Sequence, residues 1–368
     1  MSIFQQNNFK FSSLIFLIYS LKSNFLEISI CTLSFIYPAN SVLAAETDSL
    51  FISDEIIKME LRSDFSAIRE DRTGNPRYHD GELVYYTPGG ETIKLSVKVM
   101  VRGHFRRNPV NCKFPPLYVN FKKNEVKNTL FRNQDKLKLV TPCQNEEDVL
   151  DEYIIYKMYN QVTDLSIKVR LVKILYFDTG NGKEVFEKYS FFIEEKEHFA
   201  ERSNAFEINV NILPFDLNRE SIKRVSVFQY IVGNKDWYYH TRHNIMVMQP
   251  NDTSLAPFAV PYDFDFSAFV NADYTKPKGV PDELLPDRRV YKGLCFTANE
   301  FKDIFEFYRV LRPVFESIIN NMDLISKKTR KQMIKYIEYF YTVTESSELI
   351  KREFLDVCET KKTYGISY

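Results

Sequence analysis

Two neighbouring stretches decide the predicted fold: GNKDWYYHTRHNIMVM at residues 233–248 and VPYDFDF at residues 260–266. The first stretch carries Asp236, and its apolar run Ile-Met-Val-Met begins directly after Asn244. The second stretch is apolar until it reaches Asp263. Short apolar runs of this kind are typical of buried strands. The polar residues therefore bracket a hydrophobic strand in a fixed order.

The residue types in this order are those that phosphoryl transfer requires. Such a site holds Mg²⁺ against phosphates with Asn and Asp side chains, and a carboxylate accepts the proton of the incoming hydroxyl. Asp236 is the predicted catalytic carboxylate, Asn244 and Asp263 are predicted metal ligands, and Asp265 is an alternate or second ligand. Each Asp alone is equally typical of a turn cap, so the ordered set carries the interpretation.

A site for phosphates also needs a cation, and the strand predicted at Lys136–Val140 offers one. Lys136 and Lys138 alternate onto one face of it, and Glu152 on the following predicted helix can form an ion pair with Lys138. The alternative is that both lysines are solvated strand residues and Glu152 is a helix-surface charge. A basic turn at residues 102–107 is either a clamp for phosphate or an acidic partner, or a solvated loop.

Together these residues resemble the signature of the CotH-like atypical kinases of spore coats and of related bacterial envelope proteins. The match is specific from Asp236 to Asp265 and weaker over about residues 93–345. The resemblance implies an α+β, two-lobed protein-kinase-like fold with a β-rich amino-terminal lobe and a helical carboxyl-terminal lobe. It also implies ATP as phosphoryl donor and Mg²⁺ or Mn²⁺ as cofactor. Unlike conventional kinases, the chain has no glycine-rich loop before its strands.

Composition limits the function classes. The 368 residues carry 49 basic and 49 acidic side chains, so no overall charge favours nucleic acid as a partner. Pattern changes divide the chain into a β-rich region at 46–130, a strand, helix and hairpin at 131–200, and a helical region with the catalytic-type loops at 201–368.

The remaining segment, residues 1–45, is predicted to be an export signal or an N-terminal anchor, because it is apolar and ends in small residues before Glu46. Membrane contact is expected only through this segment if it is uncleaved, and the protein is predicted to be periplasmic or on the cell surface. Four cysteines would remain after its removal, with three pairings open. They are Cys112, Cys143, Cys295 and Cys358.

Three functions follow as hypotheses. The first is an exported phosphotransferase that moves a nucleotide phosphoryl group to a hydroxyl of a protein or envelope component. The second is a catalytically inactive relative that acts by binding, as a surface or assembly protein, because an exported protein meets little nucleotide. The third, a metal-dependent hydrolase that uses Asp263 and Asp265 with His240, has few histidines to support it.

Overall fold

The computed structural model describes residues 49–72, 74–210, 212–276 and 289–363, so the predicted export signal or anchor lies outside the described residues. Seven of the described strands form a closed barrel. They are β1 (Ile57–Ser63), β2 (His79–Tyr86), β3 (Thr92–Val101), β4 (Leu117–Phe121), β5 (Lys136–Val140), β6 (Val169–Asp178) and β7 (Lys183–Ile193). Their order around the barrel is β1-β2-β3-β4-β5-β7-β6.

Alternating side chains fill the barrel. In β3 the residues Leu95, Val97 and Val99 are buried inside, while the residues between them are exposed or partly exposed. In β5 the buried Leu137 and Leu139 point inward, so Lys138 lies on the outer face. A period of two residues is what a strand with one buried face requires.

The prediction of a two-lobed protein-kinase-like fold is wrong. The strand-rich half is a closed seven-stranded barrel, followed by a helical carboxyl-terminal region. The barrel closes because β1 pairs in parallel with β6, with Ile57 opposite Val172 and Ser63 opposite Asp178. Alternation within a strand reports which face is buried but does not report which distant strand it pairs with, so this closure was not predicted.

Helix α1 (Phe65–Glu70) belongs to the barrel, because its Phe65 and Ile68 lie in the barrel core. The other helices build the second part of the structure. They are α2 (Glu147–Val162), α3 (Lys196–Arg202), α4 (Arg219–Ile231), α5 (Ala298–Asn320), α6 (Lys327–Glu345), α7 (Ser347–Ile350) and α8 (Asp356–Thr363), with a π-helical turn at Lys351–Leu355. The outer face of the barrel joins this core, because Phe191 packs with the helices while the next residue, Phe192, faces the barrel interior.

A small sheet positions the loops singled out in the sequence. Its strands are β8 (Ala205–Glu207), β9 (Ile245–Pro250) and β10 (Phe258–Pro261), in the order β10-β9-β8. Strands β9 and β10 are antiparallel, with Ile245 opposite Pro261. The start of β9 and the end of β10 therefore lie side by side.

Two disulfide bonds resolve the pairing that the sequence left open. Cys112 is bonded to Cys143, and Cys295 to Cys358. Bonds of this kind are typical of proteins from oxidising compartments, which is compatible with the predicted export. Within the described ranges, no helix is both long and apolar enough to span a bilayer.

Candidate functional site

The loop that carries Asp236 leaves the end of α4 at Gly233. Gly233 has a φ of 63°, and a Cβ there would collide with the hydroxyl of Tyr336, so both the backbone and the space require glycine. The side chain of Asn234 accepts a hydrogen bond from the backbone N–H of Asp236 at 2.9 Å. The backbone carbonyl of Asn234 accepts another from Trp237 Nε1 at 3.0 Å. The loop is therefore held by its own side chains.

Asp236 lies in a network with the two residues that precede β9. Its Oδ1 is 2.9 Å from His243 Nε2, and its Oδ2 accepts a hydrogen bond of 3.1 Å from the amide of Asn244. The same amide nitrogen also donates to the backbone carbonyl of Asp236 at 2.7 Å. With 36% of its side chain exposed, Asp236 is fixed in orientation and open to a ligand.

Asn244 and Asp263 are brought together by the pairing of β9 with β10. The backbone N–H of Tyr262 donates to the carbonyl of Asn244 at 3.1 Å, so Asp263 is the next residue along. Both Asn244 and Asp263 have positive φ, at 54° and 61°. Non-glycine residues with positive φ are uncommon and cluster at functional sites. The backbone of Asp263 is held by a hydrogen bond of 2.9 Å to the hydroxyl of Tyr156.

A buried guanidinium joins the carboxylates of this region. Arg106 is 8% exposed and lies 3.3 Å from Asp265, 3.8 Å from Asp263 and 3.9 Å from Glu152. Its neighbour Phe105 packs edge-on against Phe266, which ties the loop between β3 and β4 to the segment after β10. The basic turn at 102–107 is therefore not simply a solvated loop.

The charges of this cluster are unequal. Burial and the nearby Asp263 raise the pKa of Asp265 well above its ordinary value. Burial would also raise the pKa of Asp263, but Arg106 and a hydrogen bond from Asp265 lower it instead. Burial raises the pKa of Glu152 to about 7, although Arg106 opposes this rise. The pKa values of Asp263 and Asp265 are therefore shifted in opposite directions, downward for Asp263 and upward for Asp265.

Lys138 lies on the same cavity as Glu152, but the cation in contact with Glu152 is Arg106. Burial, together with the nearby Arg102 and Lys196, lowers the pKa of Lys138 to about 8. A desolvated cation among other cations is a favourable place for an anion, because the anion replaces lost water and relieves the repulsion. The structure therefore does not contain the predicted ion pair of Lys138 with Glu152. Glu152 contacts Arg106 instead, and Lys138 lines the same cleft without contacting Glu152.

Two cavities meet at Lys138. A small one of about 20 Å³ is lined by Arg102, Arg106, Glu152 and Asp263 and holds little more than a water molecule. A wider groove of about 620 Å³ shares Lys138 with it and includes Tyr118. That volume lies in the range of pockets for ligands of nucleotide size.

The predicted metal ligands fit a divalent cation in part. Oδ1 of Asp263 is enclosed and has no hydrogen-bond partner, and the oxygen of the Asn244 amide makes no hydrogen bond to a described residue. Both are hard oxygen donors of the kind that Mg²⁺ takes. Asp265 fits less well than Asp263, since the same oxygen lies closer to Arg106, at 3.3 Å, and accepts a hydrogen bond from Tyr274. Across the described ranges, no three His, Cys, Asp or Glu side chains cluster as a metal site.

The central role of Arg106 in the site was not predicted from the sequence. The basic turn was a candidate, but nothing in its pattern distinguishes Arg106 from Arg102 or Arg107. The one available signal was Phe105, an aromatic residue inside a basic turn, which indicates that part of the turn packs against the protein.

Comparison of the chain with models of protein families finds no match, and comparison with curated proteins finds none either. The resemblance to the CotH-like kinases therefore stays a prediction.

Proposed function

We propose that this chain is an exported phosphotransferase that moves a phosphoryl group from a nucleotide to a hydroxyl of a protein or envelope component. The observation that carries the proposal is the convergence of Arg102, Arg106 and Lys138 on the cleft beside Asp263. Lys138 also lines the groove of about 620 Å³, together with Lys136 and Lys196, and phosphate oxygens accept several charge-assisted hydrogen bonds from cations of this kind.

Each group has a defined task. Lys138 and Arg102 bind phosphate oxygens, and the groove beside them receives the rest of the nucleotide. Asn244 and Asp263 would hold one divalent cation, Mg²⁺ or Mn²⁺, which neutralises charge on the phosphates when bound. Asp236 accepts the proton of the incoming hydroxyl, while His243 and Asn244 fix its carboxylate in place.

Nucleotide binding tests the proposal. We expect the full chain to bind ATP with Mg²⁺ in isothermal calorimetry, and Lys138→Met to weaken binding about tenfold or more, because a buried charge-assisted contact is lost. The matched control is Lys98→Met on β3, whose side chain is 57% exposed and pairs with the exposed Asp80. Equal affinities for Lys138→Met and the unsubstituted chain would refute the proposal.

A second function is favoured by one observation, the ion pairs of Arg106. Since this guanidinium already balances the carboxylates that a metal-dependent enzyme would use, the cleft also suits a surface or assembly protein that binds an anion without chemistry. The two functions differ in turnover. Transfer of a labelled γ-phosphate to an envelope fraction, lost in Asp236→Asn while ATP binding remains, supports the enzyme; binding without any transfer supports the second function.

A further inference from the structure

A second cavity of about 520 Å³ lies between the start of α2, residues 268–276 and α6. It is separate in its lining from the cleft of Lys138 and Arg106. Its described lining contains four carboxylates and one lysine. They are Glu147, Asp148, Asp151, Asp273 and Lys276.

Two of these carboxylates already have partners. Glu147 accepts hydrogen bonds from the backbone N–H of Ser326 and the hydroxyl of Thr329, at 3.2 and 2.6 Å. Asp273 pairs with Lys276 at 2.9 Å. Among the described residues, neither Asp148 nor Asp151 lies within ion-pair distance of a lysine or arginine.

Asp151 needs an explanation that its place in the helix does not supply. Acidic residues are favoured in the first turn of a helix by the macrodipole, which accounts for Glu147 and Asp148. Asp151 is in the second turn, is only 5% exposed, and its Oδ1 has no hydrogen-bond partner. Buried polar groups are nearly always hydrogen-bonded, so an orphaned oxygen on a carboxylate that lines a cavity indicates a missing partner.

The electrostatics of the cavity agree with a missing positive charge. Burial, with repulsion from Asp148 and Glu147, raises the pKa of Asp151. Burial and the carboxylate of Asp273 raise the pKa of Asp148 to about 7, although Lys276 and Arg106 oppose the rise. A cation placed between these side chains would reverse both shifts.

We infer that this cavity binds an organic cation, whose primary ammonium group lies between Asp148 and Asp151. An ammonium group brings three N–H donors and a full charge, which match an orphaned carboxylate oxygen and its neighbour one helical turn away. A bare metal ion matches less well, because no cluster of three or more acidic or histidine ligands occurs in the part of the chain that the structure describes.

The ammonium can come from a free polyamine or from a lysine side chain of a peptide, and calorimetry separates the two. The full chain is titrated at low salt with spermidine and with a lysine tripeptide. Saturable binding of either probe supports the site, and the tighter probe identifies the source. Calcium binding that competes with both probes, or no binding of either, overturns the inference.

Matched variants assign the binding to this cavity. We expect Asp151→Asn and Asp148→Asn each to weaken binding about tenfold, because each removes one charge from the contact. Asp148 is partly exposed, so its substitution also serves if Asp151→Asn fails to fold. The control is Asp80→Asn, whose carboxylate is 94% exposed on β2 and should leave affinity unchanged. Equal affinity in all variants would show that the probes bind elsewhere.

Discussion

At the scale of single residues, Arg106 decides whether the candidate site exists. Its guanidinium is the only described cation within ion-pair distance of Glu152, Asp263 and Asp265. Buried carboxylates without a partner are costly, because each loses its hydration without a compensating contact. Arg106 thus compensates the charge of the predicted metal ligand Asp263 and of Glu152 on α2.

We therefore expect Arg106→Gln to lower the free energy of unfolding by about 3–5 kcal/mol, the range found when one partner of a buried ion pair is removed. Chemical denaturation followed by circular dichroism measures the change. The control is Arg77→Gln. Arg77 is exposed, so its substitution should change the free energy of unfolding by about 0.5 kcal/mol at most. A loss below about 1 kcal/mol in Arg106→Gln would contradict this account of the cluster.

The site loops were predictable at this scale, but their partners were not. The order of Asp236, Asn244 and Asp263 is a local pattern, and the structure does place Asn244 against both Asp236 and the residue before Asp263. Arg106 comes from a loop more than a hundred residues earlier. No periodicity or spacing in the sequence connects that loop with Asp263.

At the scale of elements, α2 links the two cavities. Its first two turns carry four acidic residues that point to different surroundings: Glu147 to α6, Asp148 and Asp151 to the second cavity, and Glu152 to Arg106. One helix thus supplies carboxylates to both places. Because pH changes the charge at the amino-terminal end of α2, we expect the free energy of unfolding to depend on pH.

Asp148 gives this pH dependence a sign. Its pKa is about 7 in the folded chain, against an ordinary value of about 4, so between these values the folded state binds the extra proton. The contribution of Asp148 to the free energy of unfolding is fully present below pH ~4. It is lost as the pH rises toward 7, which lowers the free energy of unfolding by about 1–3 kcal/mol. Asp148→Asn should remove this loss, which urea denaturation across that pH range would measure. Parallel pH profiles for the variant and the unsubstituted chain would contradict the prediction.

Elements with a strong local period were predicted closely. Alternation predicts strands at Leu117–Phe121 and Lys136–Val140, and helical spacing predicts a helix at about Glu147–Val162. The bounds of β4, β5 and α2 agree, because these patterns are set by near neighbours along the chain. The apolar spacing also predicts one long amphipathic helix from Lys327 to Leu355, but the structure ends α6 at Glu345, where Ser346 caps the next helix. Such a cap ends the helix without changing the spacing of the apolar residues, so the spacing alone does not predict it.

At the scale of the whole molecule, the cleft is assembled from distant parts. Lys138 comes from the barrel, Arg106 from a loop between barrel strands, Glu152 from α2 and Asp263 from the end of the small sheet. The bond between Cys112 and Cys143 ties the loop of Arg106 to the connection between β5 and α2. The geometry of the cleft thus depends on contacts across the whole described chain and on a covalent link.

Removal of that link should loosen the cleft before it unfolds the molecule. We expect the double substitution Cys112→Ser and Cys143→Ser to cost about 2–5 kcal/mol of stability, the usual effect of losing a native disulfide. Thermal unfolding measures the loss, and hydrogen exchange should show faster exchange in residues 103–116. Replacement of Cys295 and Cys358 is the matched control, since that pair lies in the helical region. Unchanged exchange in the loop would refute the coupling.

The parallel pairing of β1 with β6 also sets an order of events during synthesis. Ile57 finds its partner only in Val172, so the first barrel strand waits for more than a hundred further residues before its second edge is satisfied. Pairings between such distant residues are slow, because the intervening chain must be ordered first. Until then the exposed edge of β1 is a site for pairing with other chains. We therefore expect a chaperone to protect a nascent chain of this protein most before β6 has been synthesised.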